Sequence, residues 1–164
     1  MQTDISSVHL HESGLAVGTR ARLKGVGIRG TETAGQADVF DSLTAPVSAT
    51  YTQTGYVVTV TKSAHGLTTG DKVGIAFEPT GGSAANSGNF FITVTSDNTF
   101  TVTTLNSRTI SGTVVCLYAG GWLTTIETAA GDIYNNFDIF PGEGMLAREG
   151  IYVYMSNLGS INIY

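Results

Sequence analysis

Gly55-Tyr-Val-Val-Thr-Val-Thr61, Ala64-His-Gly-Leu-Thr-Thr-Gly-Asp-Lys-Val-Gly-Ile-Ala-Phe77, Asn89-Phe-Phe-Ile-Thr-Val-Thr95, Thr99-Phe-Thr-Val-Thr-Thr104 and Gly112-Thr-Val-Val-Cys-Leu-Tyr118 decide how this chain is read. Each run is rich in β-branched and aromatic residues, and Gly, Asn, Asp and Ser punctuate the gaps. That pattern describes short antiparallel strands joined by tight turns. Apolar residues fall on one phase: Tyr56, Val58 and Val60; Val73, Ile75 and Phe77; Phe90, Ile92 and Val94; Phe100 and Val102. Thr59, Thr61, Thr93, Thr95, Thr101 and Thr103 fall on the other, so one face is expected buried and the other wet.

The flanks read as β-structure too. Before the central stretch come Ser7–His11, Arg20–Arg29 and Gly35–Asp41, with Gly25 the expected site of a bulge. After it come Trp122–Thr128, Asn136–Phe140, Met145-Leu146, Gly150–Met155 and Ser160–Tyr164. Neither flank holds enough strands to close a core alone, whereas together they reach a sandwich count. The expectation is an all-β protein: an antiparallel β-sandwich built from residues 1–45 plus 119–164, with a small barrel-like β-module inserted at 46–118. Leu43-Thr-Ala-Pro46 and Ala119-Gly-Gly121 are the small, flexible joints such an insertion uses. One continuous barrel is the alternative.

Composition narrows the function. Hydrophobic residues make up 41% and charged residues 13%, the balance of a folding chain rather than a disordered one. The net charge is −5 and the eight Lys and Arg form no run, which argues against a surface that tracks phosphates; no nucleic-acid partner is expected. No apolar run reaches membrane-span length and the N-terminal residues lack a signal-peptide pattern, so no membrane partner is expected and synthesis is placed in a reducing cytoplasm. A lone Cys116 between Val115 and Leu117 reads as a buried core thiol.

Candidate chemistry is sparse. Gly25-Val-Gly-Ile-Arg-Gly30 fits the letters of a dinucleotide loop, but a glycine-broken segment follows where the helix belongs. His9 and His11 share one strand face beside Glu12, an incomplete metal site unless a symmetry axis multiplies it. His65 before Gly66 reads as a turn residue. Asp38, Asp41, Glu127, Asp132, Asp138, Glu143 and Glu149 are scattered and most are expected solvated, while Asp132–Asn136 reads as a turn rather than a calcium loop. No catalytic residue, metal or cofactor is assigned, and the chain is not read as an enzyme. Trp122, Tyr51, Tyr118 and Tyr134 are the residues a carbohydrate-binding module would use. The one interaction surface assigned is Ile151, Tyr152, Val153, Tyr154 and Met155, where both strand faces are apolar or aromatic. Covering the second face by self-association predicts a homo-oligomer, with a trimer as first choice.

Two resemblances add a class. His65, Gly66, Leu67, Gly70, Asp71, Val73, Phe90, Ile92, Val94, Phe100 and Val102 resemble a small β-module of bacteriophage virion proteins. The same pattern is similar to the first-catalytic-cysteine half-domain of ubiquitin-activating enzymes, without implying that chemistry here. Val8-His-Leu-His-Glu-Ser-Gly-Leu-Ala-Val17 and Phe140-Pro-Gly-Glu-Gly-Met-Leu146, with Gly150–Asn157, resemble small structural proteins of tailed phages. What this implies is a virion protein decorating the capsid, with a tail, neck or fibre component as the alternative. Its partners would be itself and the major capsid or another virion protein.

Overall fold

The computed structural model describes residues 7–78, 86–118, 120–133 and 135–164; the side chains of Leu117 and of residues 135–137 fall outside that description. The chain is all-β. The first strands are β1 (Val8–Leu10), β2 (Gly14–Val17), β3 (Ala21–Leu23), β4 (Gly25–Gly30) and β5 (Gly35–Asp41). Next come β6 (Val47–Thr61), β7 (Lys72–Phe77), β8 (Gly88–Phe91), β9 (Thr93–Ser96) and β10 (Thr99–Leu117). The last are β11 (Gly121–Thr128), β12 (Asn135–Ile139), β13 (Met145–Ala147), β14 (Ile151–Ser156) and β15 (Leu158–Ile163). They fall into two compact units, Met1–Ala45 with Leu123–Tyr164, and Pro46–Trp122.

The interrupted unit holds two four-stranded antiparallel sheets, ordered β1-β15-β4-β12 and β11-β5-β14-β2, plus the β3–β13 pair. Alternation places Val26, Ile28, Ile161 and Ile163 from the first sheet and Ala37, Val39, Ile151 and Val153 from the second in one core. Fully burying each large apolar side chain contributes about 1.5–3 kcal/mol. The long-range registers Ile28↔Ile161 and Val39↔Val153 bind the two chain segments together. The glycine-rich stretch Gly25–Gly30 is simply β4, paired on both sides by β15 and β12. A Cβ on Gly30 would lie 2.3 Å from the Asp132 carbonyl, so close backbone approach accounts for that glycine. At its other end Lys24 and Gly25 both donate their N–H to the Tyr164 carbonyl, at 2.6 and 3.3 Å, two residues opposed to one as in a bulge.

In the inserted unit β10 is the spine. It pairs with β6 along most of its length, with β9 at its start and with β7 at its end, and β8 continues the sheet beyond β7. The core is Tyr51, Val58, Val60, Val73, Ile75, Phe77, Ile92, Phe100, Val102, Val114 and Cys116. Three expectations are corrected. Thr99–Thr104 and Gly112–Tyr118 are not separate strands: β10 is one strand of 19 residues. Asn89–Thr95 is not one strand but two, parted at Ile92. Ile92 donates to the Asp71 carbonyl at 3.0 Å and accepts from Gly70 N–H at 2.9 Å, which turns its side chain into the core. Tyr56 is exposed, whereas Val58 and Val60 are buried.

Tyr56 fails because β6 changes phase. Tyr51 and Gln53 point inward on odd numbers, Val58 and Val60 on even ones. Gly55, with φ of +65°, sits at the switch. The β6–β10 register jumps there from Arg108↔Gly55 to Thr103↔Val57. One residue of β6 therefore faces four of β10, an odd difference that flips which side of β6 faces the core.

Candidate interaction surface

The bulge is held by a buried amide. Gln53 Nε2 donates to Gly55 O at 2.9 Å, to Thr104 Oγ1 at 3.0 Å and to Asn106 O at 2.6 Å. Two of these acceptors are carbonyls, which require the NH2 end of the amide there. Thr104 Oγ1 also donates to Tyr56 O at 3.3 Å. With the backbone pinned from inside, the outward side chains have nowhere to fold back. Tyr56 is 55% exposed, Val57 47% and Leu105 89%. Reading the sequence did not single out these three as exposed, nor Phe91 of the same unit. Leu105 sits among Thr103, Thr104, Asn106 and Ser107, where no alternation points to an exposed leucine.

The surface assigned from sequence, Ile151–Met155, is placed differently. β14 is an interior strand between β5 and β2, so its backbone is committed on both edges. Ile151 and Val153 are buried in the core and Met155 packs against it. Tyr152 and Tyr154, on the other phase, are half-buried. Their register partners on β5 are Phe40 and Asp38, both fully buried, so this side of the sheet is not the open apolar face that alternation suggests. In the same unit Ile133 and Ile139 are the exposed aliphatics around β12, an edge strand.

Most of the scattered carboxylates are at least partly exposed, as expected, and Asp38 is the exception. It is fully buried, with Oδ2 accepting from Gln36 Nε2 at 2.8 Å and Oδ1 from Thr125 Oγ1 at 2.5 Å. Asp41 accepts from Glu149 N–H at 2.8 Å, and Glu143 lies 3.7 Å from the Arg22 guanidinium. Asp38 and Asp41 thus brace strands and a turn, whereas the Glu143–Arg22 pair is exposed.

His65 is structural, whereas His9 and His11 are exposed. His65 Nδ1 accepts from Leu67 N–H at 3.1 Å, which makes Nε2 the protonated nitrogen that donates to Ser96 O at 3.0 Å. Its ring meets Phe100 edge-on at 5.5 Å. Both nitrogens face backbone partners, and the hollow beside the ring, about 270 Å3 and lined by Ala64, Gly66, Leu67, Val94 and Asp97, is at the small end for a ligand site. His9 Nδ1 lies 2.6 Å from Asn162 Oδ1, and its ring meets His11 edge-on at 4.4 Å. Among the described residues no group of three or more His, Cys, Asp or Glu could hold a metal. Cys116 is buried, and burial pushes its thiol from 9.0 up to about 12 against a small opposing pull from Lys62.

Of the aromatics a sugar platform would use, Tyr51 is a core residue packed edge-on against Phe77 at 4.8 Å. Tyr118 and Trp122 are half-buried, and Tyr134 lies outside the described residues, as do the side chains of Asn135 and Asn136 in the stretch read as a turn. No protein-family model, curated protein or solved structure matches the chain.

Proposed function

We propose that this is a structural protein of a tailed-phage virion, decorating the capsid through protein–protein contacts and catalysing no reaction. The observation that carries the reading is how its side chains are used. Of the ionisable residues singled out above, Asp38, Asp41 and His65 are spent on hydrogen bonds within the fold, while Tyr56, Val57 and Leu105 stand exposed around a buried amide. Exposed apolar side chains on a low-charge surface suit contact with another protein. The resemblance of Val8–Val17 and Phe140–Leu146 to tailed-phage proteins supports the virion class; a tail, neck or fibre position is the second placement. In this reading the interrupted unit attaches through the exposed Ile133 and Ile139. The chain self-associates, with a trimer as the starting expectation.

The test is rebinding to particles of the source virion depleted of the chain, with a side-chain-resolution map of the intact particle. The expected result is attachment that survives moderate salt, is lost in mild denaturant and is weakened by Ile139→Asp. Release by salt alone, or a map with no density for the chain, overturns the proposal.

A further inference from the structure

β6 is long, and among the described residues β10 is its one neighbour. No backbone–backbone hydrogen bond outside that ladder involves residues 47–50 or 52–61 among the described residues. An edge strand presents outward N–H and C=O groups that template another strand, and proteins blunt such edges with charge, proline, brevity or a bulge. Gly55 supplies a bulge, but the stretch before it, Val47-Ser-Ala-Thr-Tyr-Thr-Gln-Thr54, has neither charge nor proline. Its exposed side chains are Ser48, Thr50, Thr52 and Thr54; its inward ones include Tyr51 and Gln53.

We propose that this edge pairs antiparallel with the same edge of a second copy about a two-fold axis, merging two sheets into one. The side chains select this occupant. A two-fold axis normal to the sheet keeps each face on its own side, so even-numbered residues meet even-numbered residues in any permitted register. Every such register sets Ser or Thr opposite Ser or Thr on the wet face, where hydroxyl pairs are favourable and no like charges meet. A foreign strand would find no charge or pocket here to select it, whereas self-pairing needs neither. The contact is independent of any ring closed by the interrupted unit, and of the virion reading.

The test uses the full chain in solution without virions, by light scattering and amide hydrogen exchange. Thr50→Lys/Thr52→Lys places charge on the edge at exposed positions, and Ser48→Lys/Thr54→Lys is the second variant should the first not fold. Thr103→Lys, exposed on the interior strand β10, is the control. The expected result is a wild-type and control mass twice that of the folded edge variants. The amides of residues 47–54 that point away from β10 should exchange at least about tenfold faster in those variants, tracking loss of the paired state, while those bonded to β10 stay protected. Equal masses, or a mass difference with the outward amides of residues 47–54 exchanging freely in the wild type, overturns the proposal. Protection of those amides only after virions are added also overturns it, because it gives the edge to a virion strand.

Discussion

The side-chain amide of Asn89 takes both backbone groups of Trp122: Nδ2 donates to the Trp122 carbonyl and Oδ1 accepts from its N–H, each at 2.9 Å. A side chain here makes the pair of bonds a neighbouring strand would make, and it fixes the last residue of the inserted unit beside β8. Gly74 completes the seat, since a Cβ there would lie 2.6 Å from the Trp122 nitrogen.

Asn89→Ala is expected to destabilise the inserted unit by about 1–2 kcal/mol, two modest hydrogen bonds. Asn89→Asp should cost at least as much, because it keeps the acceptor but sets a carboxylate oxygen against the Trp122 carbonyl. Urea unfolding monitored at Trp122 measures both; unchanged midpoints would show the clamp contributes nothing.

Gly55 turns β6 over at a positive φ, with nothing within 4 Å of an added Cβ. Gly55→Ala therefore carries only the backbone penalty, about 1–2 kcal/mol, and Gly55→Asn a smaller one. A thermal-melt series that ranks Asn below Ala in stability contradicts this account of the bulge.

The Cys116 thiol is pushed up to about 12 by burial, and the Tyr118 phenol, from 10.0, also to about 12 by burial and by Cys116. Both native groups hold their protons at pH values where the unfolded chain loses them. Their contribution is complete below about pH 9 and is lost as pH rises from 9 toward 12. For the buried thiol the fall approaches about 1.4 kcal/mol per pH unit within that window. Urea midpoints measured from pH 8 to 11 should decline, less steeply in Cys116→Ala. In the native protein Cys116 should also resist disulfide reagents that label it at once in denaturant; rapid native labelling would refute its burial.

The core clusters of the two units share no residue: one draws on Tyr51 to Cys116, the other on Leu23 to Val39 and Ile126 to Ile163. Replacing Ser48–Leu117 by a Gly-Ser linker should leave a folded remainder with a cooperative melt. An unfolded deletion product, by circular dichroism, shows that the parts depend on one another.

Most of the interrupted unit was legible because its strands are short and bounded by punctuation. Gly35–Asp41 matches β5 residue for residue, and the strands after Trp122 differ mainly at their ends. β2 was missed because Gly14-Leu-Ala-Val17 is too brief to show a period. The span from Leu105 to Ser111 looks like a linker in isolation, being polar and unpatterned; pairing with Thr52–Gly55, more than fifty residues away, makes it strand. The exposed cluster was hidden for the same reason. Alternation counted back from Val60 and Val58 puts Tyr56 inside, and only the register across the bulge reveals that the phase set by Tyr51 and Gln53 still holds there.

Discontinuity of the sandwich also sets a schedule for biosynthesis. β4 and β5 leave the ribosome early with apolar faces, yet β14 and β15, which flank and cover them, are made last. Every strand of the inserted unit emerges in between, so that unit can close while the first one waits. A stalled nascent chain with residues 1–122 clear of the exit tunnel should resist protease across β6–β10 and be cut within β4 and β5. The waiting strands make the early segment the part of this protein most in need of a chaperone.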